Sequence, residues 1–160
     1  MARTATSSRS PETAAPIASL SRFHLDTRHG HRVCPDRRRV LEITGDFPVQ
    51  VDMHVTVRVR QPPIPFTQAW RVRIADIQRD RRVVDTAERA PIAIWEHDHR
   101  VAALPDGRTP TTDFVVSALP FGPVGRLTDR HSGRGQLEAM FAERHRSINA
   151  RFEGPDRPEQ

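Results

Sequence analysis

The sequence predicts a single α+β domain in which a curved antiparallel sheet wraps around one long C-terminal helix. Three observations lead there. Apolar and polar residues alternate with a two-residue period through the middle of the chain, and the period changes to helical spacing only after Pro120. A length of 160 residues suffices for one hydrophobic core and leaves little room for a second.

The elements follow in chain order. Residues 1–14 are polar and rich in Ser and Thr, which predicts a flexible N-terminus or a weak edge strand. Pro16 to Phe23 suits a short helix, with Pro at its start and Ile17, Leu20 and either Phe23 or His24 on one face. A loop rich in His, Arg, Gly and Pro spans about 26–38. Val49, Val51, Met53, Val55, Val57 and Val59 alternate with Gln50, Asp52, His54, Thr56, Arg58 and Arg60, which predicts one long strand with a buried and a wet face. Pro62, Pro63 and Pro65 end it. On the next strand Trp70, Val72 and Ile74 face opposite to Arg71 and Arg73, and Val83-Val84-Asp85 reads as a short strand after an Arg-rich turn.

From about Pro91 to Leu104 another long strand is expected. Trp95, His97, His99 and Val101 share one face and Glu96, Asp98 and Arg100 the other, so the three charges assign the Trp/His side to the interior. Pro105-Asp106-Gly107 is a turn signal, and Thr111 to Leu119 returns as the last strand of a hairpin. Leu137, Met140, Phe141, Arg144, Ile148 and Phe152 then fall at helical spacing, predicting a helix from near Arg134 to just before Gly154-Pro155. Residues 15–153 form the domain on this reading, and 154–160 a disordered tail.

Composition narrows the function classes. No apolar run approaches the ~20 residues of a membrane-spanning helix, and no apolar segment behind the first residues suggests a secretory signal. The single cysteine, Cys34, excludes an internal disulfide and suits a reducing cytoplasm. The net charge of +5 comes from a chain whose basic residues are all Arg, in clusters such as Arg37-Arg38-Arg39 that are not interleaved with exposed aromatic residues, so no nucleic-acid partner is expected. Phosphate-binding and dinucleotide loops are absent, as is a nucleophile elbow. The sequence leaves room for a homodimer.

His97-x-His99 on one strand face, with Asp113 on the paired strand, is the polar constellation aimed at the interior. A three-residue hairpin loop, Pro105 to Gly107, places Asp113 opposite His99; a two-residue loop at Asp106-Gly107 places Phe114 there and loses the pair. These three residues are the candidates for catalysis, as a dyad that moves a proton, or for orienting a ligand carbonyl. A hydrogen-bonded network that satisfies polar groups within the sheet is the plainer account of them. Two histidines and a carboxylate are also half a metal site, but no third ligand occupies a clear position, with Glu88 and His54 the remaining options, so no metal or cofactor is expected. Trp70, Trp95, Phe121, Met140 and Phe141 supply an apolar lining, and Arg144 either meets an acidic head group or pairs with a carboxylate of the sheet.

Several segments resemble the SRPBCC ligand-binding proteins of the START and birch-pollen-allergen superfamily, which includes polyketide cyclases. They are Val84-Asp85, the Pro91 to His99 run with Trp95, His97 and His99, Thr112-Asp113-Phe114-Val115, and Leu119 to Gly125. Gln136-Leu137 through Phe141 and Arg144 is similar to the family's last helix, and Phe23-His24-Leu25-Asp26-Thr27-Arg28 to its "FH.D.RN" segment. Ser117, His29 and Ala90 depart from that pattern, standing where Tyr, Asn and Gly are usual, and Gly133 and Gly135 interrupt a stretch that is usually apolar. The resemblance implies a helix-grip fold and a hydrophobic or aromatic small molecule, such as a lipid, isoprenoid or polyketide-like chain, held between sheet and helix. Two alternatives are an aromatase/cyclase- or dehydratase-type enzyme using the His–Asp pair, and a protein-interaction or regulatory module.

Overall fold

The computed structural model describes residues 4–9, 12–26, 28, 39–60, 65–120 and 134–153. Seven strands form one antiparallel sheet: β1 (Thr4–Arg9), β2 (Arg39–Thr44), β3 (His54–Arg60), β4 (Gln68–Gln78), β5 (Arg82–Arg89), β6 (Ile94–Val101) and β7 (Thr111–Ala118), in the spatial order β1-β7-β6-β5-β4-β3-β2. Among the described residues two helices, α1 (Ile17–Leu25) and α2 (Arg134–Glu153), accompany the sheet, which is the expected helix-grip arrangement of a curved sheet with a long C-terminal helix. β2 to β7 run as a meander, and β1 closes onto β7 at the far edge beside α2. Register shifts between Val40 and Glu42, Arg71 and Val72, and Ile74 and Asp76 add local twist, as a sheet needs to curl around a helix.

The long strand expected from Val49 onward is shorter than its pattern. Only His54–Arg60 pairs; residues 49–53 turn instead, with Asp52 in the left-handed region at φ 67° and Val51 48% exposed. Tertiary hydrogen bonds override the alternation there: Asp52 N–H donates to the Ile74 carbonyl (2.8 Å) and Ile74 N–H to that of Met53 (2.9 Å). β2 gives no periodic signal, because its bulge puts Val40 and Ile43 out of step and leaves Leu41 exposed. β5 outruns its apolar residues by pairing Thr86, Ala87 and Arg89 with β4. β6 starts later than expected, since Pro91 lacks an amide hydrogen and Ile94 is the first residue on the ladder.

Two apolar cores lie on the inner side. Ala15, Leu20, Ile148 and Phe152 form one, with Phe23 and Val101 packed against it, and so join α1 to the end of α2. Val49, Val55, Ile74 and Val83 form the other, with Leu25, Phe47 and Val57 around it. Each fully buried Leu, Ile or Phe contributes about 1.5–3 kcal/mol. The chain before α1 is pinned by the Thr13–Thr109 backbone pair (3.2 and 2.9 Å) and by Thr109 Oγ1 donating to the Ala15 carbonyl (2.8 Å), while Thr13 Oγ1 bonds Asn149 of α2. Ser21 Oγ accepts the Asp80 amide (3.1 Å), tying α1 to the β4–β5 turn.

Along α2 the buried stripe is Phe141, His145, Ile148 and Phe152, whereas Arg144 is only half-buried. No helix among the described residues is long and apolar enough to cross a membrane. The readings made for Phe121, Cys34 and the 154–160 tail lie outside the described residues.

Candidate functional site

The β6–β7 hairpin closes through the three-residue loop, with Leu104 N–H bonded to the Arg108 carbonyl (2.9 Å) and Gly107 at φ 82°, a conformation that favours glycine. That register sets Asp113 opposite His99. The result is a carboxylate, 1% exposed, that accepts three imidazole N–H groups. His97 Nε2 and His99 Nδ1 donate to its Oδ1 at 2.8 and 2.6 Å, and His145 Nε2 bonds its Oδ2 from across the helix interface.

A second carboxylate completes the cluster. Asp85 on β5 lies opposite His97 in the ladder. Its Oδ1 accepts the Trp95 indole N–H (3.3 Å), and its Oδ2 lies 3.3 Å from His99 Nε2 and 3.7 Å from His97 Nδ1. From α1, His24 donates Nδ1–H to the Leu20 carbonyl (2.8 Å) and sets its ring 5.2 Å from that of His99. His24 Nε2 is buried with no hydrogen-bond partner, a state that costs about 1–3 kcal/mol.

The electrostatics divide the four rings. Burial drives His24 down to about 3, helped by the positive charges of His99 and Arg144, so it is neutral at neutral pH. Burial and the neighbouring His99 also push His97 down, against the pull of Asp113 and Asp85. His99 goes the other way: burial is the largest influence and opposes its charge, as does Arg144, but Asp113 and Asp85 together outweigh them and hold it above the ordinary histidine value. With a carboxylate at each ring nitrogen, His99 is the member that carries the proton. Burial pushes Asp113 up, yet the charge of His99 and the hydrogen bonds from His145, His97 and His99 hold it well below the ordinary carboxylate value. Asp85 is lowered likewise: burial opposes, and the hydrogen bond from His99 leads the groups that prevail.

Aromatic contacts run from this cluster across the sheet. The Trp70 and Trp95 rings meet edge-on at 5.6 Å, Trp95 and His97 at 5.7 Å, and Phe141 of α2 lies 5.0 Å from His97. The inner face is unevenly covered. His97, His99, Asp113, Val115 and Phe141 are buried, while Val57, Trp70, Val72, Ala87, Trp95 and Met140 are only half-buried. Trp70 Nε1 and Arg144 Nε are buried without a hydrogen-bond partner, and Arg144 forms no ion pair with a carboxylate among the described residues although its charge acts on His24, His99 and Asp85.

The hairpin thus unites His97, His99 and Asp113 and carries Trp95 beside them, while Phe141 and Arg144 approach from α2 and Trp70 of β4 is reached through Trp95. His54 and Glu88, the remaining options for metal ligands, bond each other at 3.0 Å in a half-exposed position outside this cluster. Asp98, expected to be wet, is 8% exposed, because Arg100 and Arg82 fold over it and Arg100 in turn lies 4.5 Å above the Phe114 ring. Three members escaped the sequence reading. His145 lies four residues beyond Phe141 on the buried helix face, a visible signal; Asp85 required the β5–β6 register; and His24 shares its helix face with Leu20, without any sign that its second nitrogen would lack a partner.

Sheet, terminal helix and interior polar cluster define a protein of the helix-grip class. No protein-family model and no curated protein matches the sequence. Solved structures do. The chain is similar to the KanY protein in its solution structure (TM-score 0.71, 11% identity, 96% of this chain and 100% of that one). It is similar also to TTHA0849 from Thermus thermophilus (0.69, 10% identity, 92% and 98%) and to SA2116, a protein of unknown function from Staphylococcus aureus (0.68, 11%, 95% and 97%). At such identities these likenesses show the fold alone.

Proposed function

We propose that this chain is an SRPBCC-type binding protein that holds a hydrophobic or aromatic small molecule between the sheet and α2. The observation that carries the reading is the half-covered inner face: Val57, Trp70, Val72, Ala87 and Trp95 belong to the concave side, yet the fold's own side chains do not bury them fully. Burying this surface under an apolar guest would add about 25 cal/mol for each Å² removed from water. The unpartnered N–H groups of Trp70 and Arg144 add polar points that a guest's oxygen atoms would satisfy, the usual composition of a small-molecule site. His97 and His99 are buried and bonded to Asp113, which favours a container over a proton-transfer enzyme.

Native mass spectrometry of the protein purified from its own host, then of stripped protein incubated with palmitate, tests this. The expected result is one small molecule per chain, extractable into organic solvent or replaced by the added fatty acid. Bare chain mass in both preparations overturns the proposal.

A further inference from the structure

Asp85, His97 and His99 have a feature that neither packing nor a container explains. Each offers one ligating atom within 4.8 Å of one from each of the other two, and Asp85 Oδ2 faces both His97 Nδ1 and His99 Nε2. Of the contacts to the carboxylate oxygen, 3.3 Å matches and 3.7 Å slightly exceeds the edge of a tetrahedron about a Zn²⁺ ion, about 3.3 Å for metal–ligand bonds of roughly 2.0–2.1 Å. At 3.7 Å the His97 contact is too long to be a hydrogen bond, so the aim of that nitrogen is not the result of one.

The remote atom of every member is meanwhile fixed by a separate partner. Asp113 Oδ1 takes the other N–H of both His97 and His99, His145 holds Asp113 Oδ2, and the Trp95 indole holds Asp85 Oδ1. A carboxylate that pins the far nitrogen of ligating histidines is the arrangement that sets their tautomer and orientation in metal sites. An independent feature points the same way. His24, 6% exposed, is locked through Nδ1 to a backbone carbonyl and keeps an unpartnered Nε2 lone pair beside His99. A neutral imidazole so fixed is suited to ligate a metal or to accept a hydrogen bond from a metal-bound water.

We infer that Asp85, His97 and His99 form a site for a divalent first-row transition metal, Zn²⁺ foremost, with Asp113 and His145 as its outer support. Three protein ligands leave at least one position for water or a guest's carbonyl or carboxylate oxygen. On binding, the metal takes the place of the His99 Nε2 proton, which leaves to solvent. This goes beyond the container reading and does not require it, since the metal alone is the probe.

Co²⁺ titration of the chelator-stripped wild-type chain, followed by its visible absorption bands, and X-ray absorption of the protein loaded with one equivalent of Zn²⁺ test the site. One equivalent is expected, with at least two imidazole rings in the Zn²⁺ shell. Asp85→Asn should weaken Co²⁺ binding at least tenfold and Asp113→Asn by about 10–100-fold, whereas His54→Gln, which alters only the surface pair, should leave it unchanged. No stoichiometric binding, fewer than two imidazoles around Zn²⁺, or loss of binding in His54→Gln overturns the inference. The absorption measurement uses the wild-type chain, so a variant that fails to fold does not remove the test.

Discussion

Asp113→Asn preserves the shape of the side chain and removes its charge. The native carboxylate takes N–H groups from His97, His99 and His145 at a position only 1% exposed, where solvent cannot stand in. An amide offers one acceptor oxygen and an NH₂ that is only a donor. One imidazole therefore loses its partner, and the charged ring of His99 keeps Asp85 as its one counter-charge. Two effects compete. Stripping one member from a buried pair costs about 3–5 kcal/mol. His99 recovers part of this by releasing its proton, because the loss of the Asp113 charge removes one of the two carboxylates that hold its pKa up.

The expected net loss is about 2–4 kcal/mol. Urea denaturation at pH 7 in the presence of chelator, followed by tryptophan emission and far-ultraviolet circular dichroism, measures it. At roughly 2–4 °C per kcal/mol for a chain of this size, Tm should fall by about 4–16 °C. A loss below about 1 kcal/mol would refute the argument that this charge binds the hairpin to α2.

Four further outcomes follow from the same structure. His24 sits near 3 in the fold against 6.5 in the unfolded chain, so below pH 6.5 the unfolded state takes a proton that the native state refuses; stability should fall with pH, by about 2 kcal/mol between pH 6.5 and 5. His24→Leu should flatten that limb in a pH series of urea melts, and an unchanged slope would contradict the assignment. Asp113 has the same sign in a lower window, its contribution being present above the unfolded value of 3.8 and lost as pH falls below it, so Asp113→Asn should shallow the acid limb there. Phe141→Ala removes a ring with 0% exposure and should cost about 3–5 kcal/mol in the same denaturation assay. Gly107→Ala meets no atom within 4 Å but must hold φ 82°, so thermal melts should show a loss of about 1–2 kcal/mol from strain alone.

Much of the site was legible because strands obey a period of two. Glu96, Asp98 and Arg100 on one side of β6 assign Trp95, His97 and His99 to the other without any tertiary knowledge, and the loop at Pro105-Asp106-Gly107 narrows the partner of His99 to Asp113 or Phe114. Geometry chose between the two. The pattern failed where long-range bonds beat it: Val51 keeps the alternation of its neighbours, yet the Asp52–Ile74 backbone bond turns the chain and leaves it in water. Asp85 was out of reach for a different reason, since its place opposite His97 depends on the β5–β6 register across a connection whose length the local residue types do not fix. His145 was within reach. Its four-residue step from Phe141 marks the buried face, but a histidine among arginines and glutamates reads as surface until Asp113 is known to lie beneath it.

Trp70 and Trp95 are the chain's two tryptophans, it has no tyrosine, and both indoles lie on the half-covered inner face, so intrinsic emission reports on that surface alone. Titration with anilinonaphthalene sulfonate, with near-ultraviolet circular dichroism confirming that the fold stays intact, is the most direct measurement. A cavity between sheet and helix requires saturable one-to-one quenching of the tryptophans, weakened at least tenfold in Trp70→Ala. Emission that is unchanged, or that declines linearly without saturation, would mean that the inner face admits no guest.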